Sequence, residues 1–429
     1  MPNAPPTARS VAADVIVRVV RDGAFAAAAL DTELERNVQL ELRDRALATE
    51  LVYGALRLYA WLEERLARHA SRGLGQLDVR VRAVLVIAAY QLLVLERVPA
   101  FAAVNEAVTQ AREAKGAKVA GFVNAVLRKI AREPRPSRDE LARAALACVE
   151  PSLRAALVRS LGEDDARDLV AVTEPPPIGL RIDAAIEEPS ARELWIGRLR
   201  EARPEASIEA GRVSPLAIVV RGAGKIVELP GYAEGAWTPQ EEGSQAIALL
   251  LGAQPGEVVL DACAGRGNKT GLLAKQVGPS GAVDAVDLHP KKLERLTSEL
   301  RRIRVAPRAT YAVDWSVGSG DVTGKYDRVI VDAPCSGTGT LRRRPEIVLR
   351  RSAADLASLS RLQRTILERT RALVRPGGTL VYAVCSVLRE EAEEVVASCA
   401  NANEMVESIR LHPREHGTDG YFAARFVVR

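Results

Sequence analysis

The sequence predicts a multidomain fold with an all-α domain first, then a small α+β connector, then a C-terminal α/β domain. Three observations support this prediction. Residues 7 to about 133 repeat apolar side chains at helical spacing and show no strand pattern. From about residue 241, short β-branched runs alternate with helical stretches. The length of 429 residues is enough for two or three domains.

The first domain is predicted over residues 1–135 as about six helices. The helical pattern is clear in VAADVIVRVV, ALATELVYGALRLYAWLEERLARH and VRAVLVIAAYQLLVLERV. Gly23, Gly73, Pro99 and Gly116 interrupt it. The tract REPRPSRDE then marks the boundary of the domain.

The connector is predicted over residues 136–240, helical at first and then a small α+β structure. Its helical pattern gives way to PPPIGLRID and LAIVVRG, which are typical of short strands.

The last domain is predicted over residues 241–429. Strand patterns in EVVLDAC, AVDAVDL, ATYAVD, YDRVIVDAP and GTLVYAVCS are separated by helical patterns. This alternation predicts a parallel, doubly wound sheet. Ligands of such sheets bind at the carboxyl ends of the strands. We therefore search those ends for functional residues.

Composition indicates an ordinary globular protein with a mildly basic surface. Hydrophobic residues make up 48% of the chain and charged residues 27%. No membrane span or signal region is expected, and five scattered cysteines favour a reducing cytoplasm. With no CxxC pair and four histidines, no metal site is expected. The net charge of +5 would suit a polyanion partner.

Three arginines follow the strand pattern of YDRVIVDAP. Arg342, Arg343 and Arg344 lie a few residues beyond Cys335. They predict contacts with RNA phosphates, and a solvated surface run is the alternative.

A glycine-rich turn follows the first strand of the last domain. LDACAGRGNKTG places Gly265, Gly267 and Gly271 between a strand and a helix, where they allow close backbone approach to a ligand. Asp287 ends the next strand and is suited to two ribose hydroxyls. A nicotinamide dinucleotide and S-adenosylmethionine fit this pattern about equally, and a purely structural turn is a third possibility.

Two further carboxylates favour S-adenosylmethionine. Asp314 ends a third strand, where it could accept a hydrogen bond from an adenine amino group, and Asp332 ends a fourth. No hydride-transfer constellation is visible, which makes a dehydrogenase the weaker hypothesis. A helix or turn cap is the alternative for Asp314.

Cys335 and Cys385 each follow a strand at its carboxyl end. A thiolate that adds to C6 of cytosine makes C5 nucleophilic enough to take a methyl group from a sulfonium. Asp332 lies three residues before Cys335 and is a candidate acid near N3 of the base. The two cysteines therefore indicate covalent catalysis on a cytosine ring.

The same residues resemble a known family. VDAPCSGTGTLRRRPEI and GGTLVYAVCSVLREEAEEVV are similar to motifs of the two-cysteine RNA cytosine-5 methyltransferases of the NOL1/NOP2/Sun family, as are WTPQEEGSQAIALLL, DACAGRGNKT and DGYFAARF. The resemblance implies a Rossmann-like, S-adenosylmethionine-dependent domain in which Cys385 is the nucleophile and Cys335 assists product release. It also implies cofactor contacts from Cys263, Ala264, Gly265, Arg266, Gly267, Asn268, Lys269, Asp287, Asp314 and Asp332.

Two residues depart from the family pattern. The turn carries Arg266 and Asn268 where the family has proline and glycine, and Val384 replaces the threonine that precedes the nucleophile. Neither change removes a reacting group.

The helical front end resembles a second family. VPAFAAVNEAVTQAREAKGAKVAGFVNAVLRKI is similar to the RNA-binding NusB fold. A NusB-like domain joined to this catalytic module is typical of bacterial enzymes that methylate a cytosine of 16S ribosomal RNA. That RNA, with a single-stranded or flipped cytosine, is the partner that the resemblance implies. The same chemistry on transfer RNA or another ribosomal site stays an alternative, as does a non-catalytic RNA-binding assembly factor.

Overall fold

The computed structural model describes residues 5–70, 73–171, 175–184, 189–399 and 404–429. These residues form two compact units. The helical unit comprises the described residues up to 171 together with a later segment, Leu341–Ser352. The other unit comprises the remaining described residues from 175 onward, and we call it the catalytic unit because it carries the candidate site residues other than the three arginines. The three domain ranges predicted from the sequence stay a prediction.

The helical unit is built from ten helices in the described residues, seven of them within the stretch predicted to hold about six. The extra helix arises because ALATELVYGALRLYAWLEERLARH breaks at Leu58, whose φ of −108° and ψ of 17° are not helical. The ten helices are α1 (Ala8–Asp22), α2 (Ala26–Arg36), α3 (Leu42–Arg57), α4 (Tyr59–Ala67), α5 (Val79–Leu93), α6 (Ala100–Lys115), α7 (Ala117–Ile130), α8 (Arg138–Ala147), α9 (Pro151–Leu161) and α10 (Glu163–Ala171).

Leu341–Ser352, which we call the inserted segment, packs within the helical unit although it lies far along the chain. It contains a 3₁₀ turn, Pro345–Leu349, whose Glu346 carboxylate is buried and accepts a hydrogen bond from Ala26 N at 3.2 Å, at the start of α2. The Arg350 guanidinium donates to three carbonyls at the end of α1, those of Val19, Gly23 and Ala24, at 2.6–3.0 Å. Arg350 therefore caps α1.

The catalytic unit begins with a four-stranded antiparallel sheet in the order β2-β3-β1-β4. The strand patterns predicted in PPPIGLRID and LAIVVRG are its strands β1 and β3. Its elements are β1 (Ile178–Ile182), α11 (Pro189–Ala202), β2 (Ser207–Ala210), β3 (Ala217–Arg221) and β4 (Trp237–Pro239).

A seven-stranded sheet forms the rest of the catalytic unit, in the order β10-β11-β9-β8-β5-β6-β7. The five strands from β9 to β7 are parallel, and helices alternate with them as predicted. The elements are α12 (Glu242–Leu250), β5 (Val258–Asp261), α13 (Asn268–Val277), β6 (Ala282–Asp287), α14 (Pro290–Arg302), β7 (Ala309–Ala312), β8 (Tyr326–Asp332), α15 (Ala353–Arg371), β9 (Val374–Val384), α16 (Glu393–Cys399), β10 (Met405–Leu411), α17 (Pro413–His416) and β11 (Tyr421–Val427).

The five strands predicted from the alternating pattern are parallel, but the whole sheet is mixed because two later strands join it antiparallel. β11 runs antiparallel to β9, and β10 antiparallel to β11. The link between β10 and β11 is only nine residues long, 412–420, and is too short for the crossover that a parallel pair requires. The predicted class, a helical domain followed by a Rossmann-like α/β domain, is confirmed.

The strand order places β8 beside β9 in the middle of the sheet, with Asp332 paired to Ala383 in the register. Both strands end at the same edge, and the loops that follow them carry the two candidate cysteines. Within the described ranges no helix is both long and apolar enough to cross a membrane.

Candidate active site

The two cysteines predicted to act together are in contact. Cys335 Sγ lies 3.3 Å from Cys385 Sγ. Their loops are tied by backbone hydrogen bonds, from Ala333 N to Ala383 O at 2.8 Å and from Gly339 N to Cys385 O at 3.1 Å. Cys335 and Cys385 are both half-buried residues.

A buried polar network holds the two loops beneath the sulfurs. Ser386 Oγ lies 2.9 Å from Thr338 Oγ1 and 3.3 Å from Ser336 Oγ. Glu391 accepts hydrogen bonds from Ser336 N at 2.7 Å and from Ser336 Oγ at 2.5 Å. Since Ser336 and Ser386 directly follow the two cysteines, the network fixes the backbone that carries each sulfur.

Three of the cysteine thiols have a raised pKa. The hydrogen bond to Cys385 and the burial of the sulfur together raise the pKa of Cys335 well above its ordinary value. Burial likewise raises the pKa of Cys263, which packs against the core of the sheet, and raises that of Cys148 to about 11. Cys148 and Cys263 are thus inert thiols, and the side chain of Cys399 lies outside the described residues.

Asp332 lies at the end of β8 and pairs with Lys269 of α13. Lys269 Nζ is 2.7 Å from Asp332 Oδ2 and 2.8 Å from Ser244 Oγ of α12. Burial opposes the charge on Lys269, but the Asp332 carboxylate outweighs burial and raises the pKa of Lys269. The candidate acid predicted from the sequence is therefore paired with an ammonium group.

The glycine-rich turn joins β5 to α13 through two left-handed residues. Gly265 has a φ of 59° and Gly267 a φ of 85°. A Cβ on Gly267 would lie 2.6 Å from Leu296 Cγ, so no larger residue fits. Asn268 begins α13. Arg266 is exposed.

Arg181 of β1 supports this turn from beneath and was not singled out in the sequence. Its guanidinium is buried and donates to the Asn268 carbonyl oxygen at 2.5 Å and to the Gln240 side-chain oxygen. Asn268 Nδ2 in turn donates to Pro239 O at 3.3 Å. The small sheet therefore fixes the start of α13.

Asp287 lies at the end of β6, next to the turn. Its Oδ2 accepts from Gly265 N at 3.1 Å and its Oδ1 from His289 N at 2.8 Å, and Lys292 Nζ is 3.4 Å away. Lys292 Nζ lies 3.4 Å from Oδ1 and 3.5 Å from Oδ2, so a ribose hydroxyl would take the place of this long contact while Gly265 N and His289 N stay bonded.

Asp314 follows β7 and is exposed. Its Oδ1 accepts from Ser316 N at 2.8 Å and from Ser316 Oγ at 2.6 Å. The Ser316 hydroxyl and amide lower the pKa of Asp314. Asp314 is therefore a turn cap, the alternative raised from the sequence, and its Oδ2 remains the atom for any contact with adenine.

The turn and the strand ends suit a nucleoside with a charged amino-acid tail. An added Cβ at Gly265 would meet no protein atom within 4 Å, so the turn faces open space. Asp287, Asp314 and Asp332 follow β6, β7 and β8 at the same edge of the sheet. Ala264, at the start of this turn, is buried. These residues can hold S-adenosylmethionine.

The predicted RNA-binding arginines belong to the inserted segment and so to the helical unit. Arg344 is exposed, with its guanidinium 5.8 Å from the centre of the Phe25 ring, whereas Arg342 and Arg343 are half-buried.

Several site residues escaped sequence reasoning. Glu391, Ser244 and Tyr421 fall in motifs that were recognised, but no role was given to them. Tyr421 is buried at the start of β11, and burial raises its pKa. The signal was present in WTPQEEGSQAIALLL, LREE and DGYFAARF, since polar residues in those motifs follow or precede strand ends.

Comparison with known proteins gives the same picture over the whole chain. Residues 248–427 match the family model described as 16S rRNA methyltransferase RsmB/F, and residues 6–132 match that of the NusB family. The chain is 30% identical to ribosomal RNA small subunit methyltransferase B of Shewanella oneidensis, over 98% of both chains. It is 33% identical to the protein of that name from Xylella fastidiosa, over 98% of this chain and 97% of the other.

Two solved structures share the fold. The crystal structure of PH0851 matches with a TM-score of 0.80 at 21% identity, over 98% of this chain and 99% of that one. The crystal structure of NSun6 from Pyrococcus horikoshii with SFG matches with a TM-score of 0.58 at 18% identity, over 66% of this chain and 99% of that one.

Proposed function

This chain belongs to the 16S rRNA methyltransferase RsmB/F family, and we propose that it methylates C5 of a cytosine through a covalent adduct between Cys385 and C6. Membership confirms the family and the NusB-like helical domain predicted from the sequence. The chain is an rRNA methyltransferase that uses S-adenosylmethionine. The proposal adds the reacting atom and the role of each cysteine.

The observation that carries the proposal is the distance of 3.3 Å between the two sulfurs. C5 and C6 are neighbouring atoms of the cytosine ring. A base bound with C6 at one sulfur therefore brings C5 within reach of the other.

The first step is the addition of the Cys385 thiolate to C6, which forms a C–S bond. The ring electrons move towards N3, where negative charge would otherwise develop. We assign the proton that neutralises it to the Lys269 ammonium, which Asp332 holds at 2.7 Å. Asp332 thus positions the acid.

S-adenosylmethionine supplies a methyl group on a positively charged sulfur, and the activated C5 takes it. Gly265, Gly267 and Asp287 would hold the cofactor beside the cysteines. The charge of the sulfonium is lost in the transfer, so the methylated ring carries the positive charge through its proton on N3.

Elimination then frees the product. A Cys335 thiolate, which has given its own proton to solvent, removes the proton from C5. The electrons of the C5–H bond close the C5–C6 double bond, the C6–S bond breaks, and Cys385 leaves as a thiolate. The N3 proton returns to Lys269, and one proton is released for each methyl group transferred.

Trapping of the adduct tests this assignment. Cys385→Ala should neither methylate RNA nor form an adduct. In Cys335→Ala, Cys385 should still add to C6 and C5 should still take the methyl group. Elimination should fail, so that protein and RNA stay linked on a denaturing gel. Cys148→Ala, at an inert thiol, is the matched control and should turn over normally.

The opposite pattern would refute the roles. If Cys335→Ala releases product at the wild-type rate, Cys335 is not needed for elimination. If Cys385→Ala is the variant that traps RNA, the nucleophile has been assigned wrongly.

The proposed substrate is a cytosine of 16S ribosomal RNA that is single-stranded or flipped out, because a stacked base could not reach half-buried cysteines. Arg342, Arg343 and Arg344 are proposed to contact RNA phosphates, and the cytoplasm is the proposed location. Bisulfite sequencing of ribosomal and transfer RNA, from cells with and without the gene, would identify the site. A change confined to transfer RNA would refute the 16S assignment.

A further inference from the structure

We propose that Glu391 is a positioning residue that, through its hydrogen bonds and its negative charge, makes Cys385 the nucleophile and Cys335 the base. The inference rests on the proposed function, since it explains how two touching thiols acquire different roles. Glu391 touches neither sulfur and acts through the loop that carries Cys335.

The Glu391 side chain has 0% exposure and yet receives only neutral donors. Oε1 accepts from Ser336 N at 2.7 Å and from Gln363 Nε2 at 3.1 Å, and Oε2 accepts from Ser336 Oγ at 2.5 Å. In the described part of the chain no lysine, arginine or histidine is paired with it. A buried carboxylate with no cation beside it is costly to a fold, which suggests a role beyond packing.

The contacts of Glu391 fix the position of Cys335. Ser336, the next residue, is held through both its amide and its hydroxyl. Pro334, the preceding residue, is held through its carbonyl, which accepts from Gln363 Nε2 at 2.9 Å. Gln363 thus joins Pro334 to Glu391, and the backbone on each side of Cys335 is fixed by this one pair of side chains.

The Glu391 backbone is itself fixed. Its carbonyl oxygen accepts from the hydroxyl of Tyr382, a buried residue of β9, at 2.6 Å. The strand that Cys385 directly follows therefore also fixes the backbone of Glu391.

The charges around the sulfurs are unequal. Three groups act on the charge of Cys335. They are Cys385, directly after β9, Glu391, in the 3₁₀ turn Arg389–Glu391, and Asp332, at the end of β8. The hydrogen bond to Cys385 and burial raise the pKa of Cys335, and both carboxylates raise it further. The Lys269 ammonium, from α13, interacts with Cys385. The raised pKa of Cys335 thus makes it the sulfur that keeps its proton, and this fits the assignment of Cys335 as the later base.

Glu391→Gln removes the negative charge of the side chain and can keep its hydrogen bonds. The amide oxygen can still accept from Ser336 N and Gln363, and the amide nitrogen can donate to a Ser336 hydroxyl that has turned round. Ser336→Ala does the reverse, since it keeps the charge and removes the hydroxyl that bonds Glu391, together with the contacts of that hydroxyl with Thr338 and Ser386. Glu394→Gln, at an exposed glutamate three residues further on, is the control for loss of one negative charge.

The experiment measures the rate of alkylation of each cysteine by iodoacetamide against pH, in the full chain, resolved by peptide mass spectrometry. Glu391→Gln should move the profile of Cys335 to lower pH, whereas Ser336→Ala and Glu394→Gln should not. A fall of one pKa unit would raise the rate at Cys335 about tenfold at pH values well below the pKa. An unchanged profile in Glu391→Gln would overturn the inference.

The same variants would be followed through elimination of the RNA adduct, which in wild type should speed up as pH rises and Cys335 ionises. Glu391→Gln should shift that profile to lower pH. Alkylation needs neither RNA nor cofactor, so it can succeed even where the methylation mechanism fails. An equal loss of rate at every pH, with the alkylation profile unmoved, would leave Glu391 a purely structural residue and refute the proposal.

Discussion

At the scale of single residues, Asp261 is a carboxyl group that never meets solvent. It ends β5 directly before the glycine-rich turn, and its Oδ2 accepts from Thr270 Oγ1 at 2.7 Å. Burial raises the pKa of Asp261 from 3.8 to about 6. Between about pH 4 and pH 6 the folded protein therefore holds a proton there that the unfolded chain has already lost.

This residue makes stability depend on pH. A pKa raised by about 2 units contributes roughly 3 kcal/mol of folding free energy that is fully present below pH 4 and lost as pH rises through about 6. Asp261→Asn keeps the acceptor for Thr270 and cannot ionise. Its urea-unfolding midpoint should fall less than that of wild type between pH 5 and pH 8.

Asp321→Asn, at an exposed carboxyl, is the control and should follow wild type. Parallel curves for Asp261→Asn and wild type would show that Asp261 is ionised alike in the folded and unfolded chains.

Asp287 lends itself to a binding prediction. Asp287→Asn keeps one oxygen for the turn but loses the negative charge offered to ribose hydroxyls. Loss of a charge-assisted hydrogen bond costs about 1.5–3 kcal/mol, or roughly ten- to a hundredfold in affinity. Calorimetric titration with S-adenosylmethionine would measure it, and wild-type affinity in the folded variant would exclude Asp287 from the cofactor site. Asp314→Asn should cost less, because Asp314 is exposed and already caps a turn.

At the scale of elements, the strand ends were predictable and the contacts across them were not. Alternating patterns place Cys335 and Cys385 after strands, because local apolar runs determine strands. The ion pair of Lys269 with Asp332 joins residues 63 positions apart, and its formation depends on strand order. The capping role of Arg350 was not predicted from the sequence. Only the fold reveals the three carbonyls that it caps.

Arg344, directly before the 3₁₀ turn of the inserted segment, gives a prediction on RNA binding. Arg344→Gln should weaken RNA affinity and reduce its salt dependence by about one counterion, because each phosphate contact releases one. Filter binding of a 16S fragment between 50 and 200 mM salt would measure the slope. Arg301→Gln, at an exposed position on α14, is the control. A slope equal to that of wild type would make Arg344 a solvated surface residue.

At the scale of the whole molecule, the helical unit is completed by a piece of chain from within the catalytic unit. Ile347 and Val348 of the inserted segment are buried. Each contributes about 1.5–3 kcal/mol through burial. Replacing Leu341–Ser352 with a glycine-serine linker of equal length should therefore lower the thermal midpoint of the helical unit.

The matched control replaces the exposed loop 316–321 in the same way. Helical circular dichroism and limited proteolysis of residues 5–171 would follow the helical unit. An unchanged midpoint in the linker variant would mean that α1–α10 are stable without the inserted segment.

The position of the inserted segment also means that the helical unit cannot be completed until late in synthesis. The last helix of the helical unit leaves the ribosome about 170 residues before the inserted segment does, roughly 10 to 30 seconds earlier at 5–20 residues per second. During that interval the carbonyls at the end of α1 lack their hydrogen bonds from Arg350, and Ala26 N at the start of α2 lacks its hydrogen bond to Glu346. The nascent helical unit is thus an incomplete folding intermediate, and chaperones would encounter it before synthesis of the catalytic unit is finished.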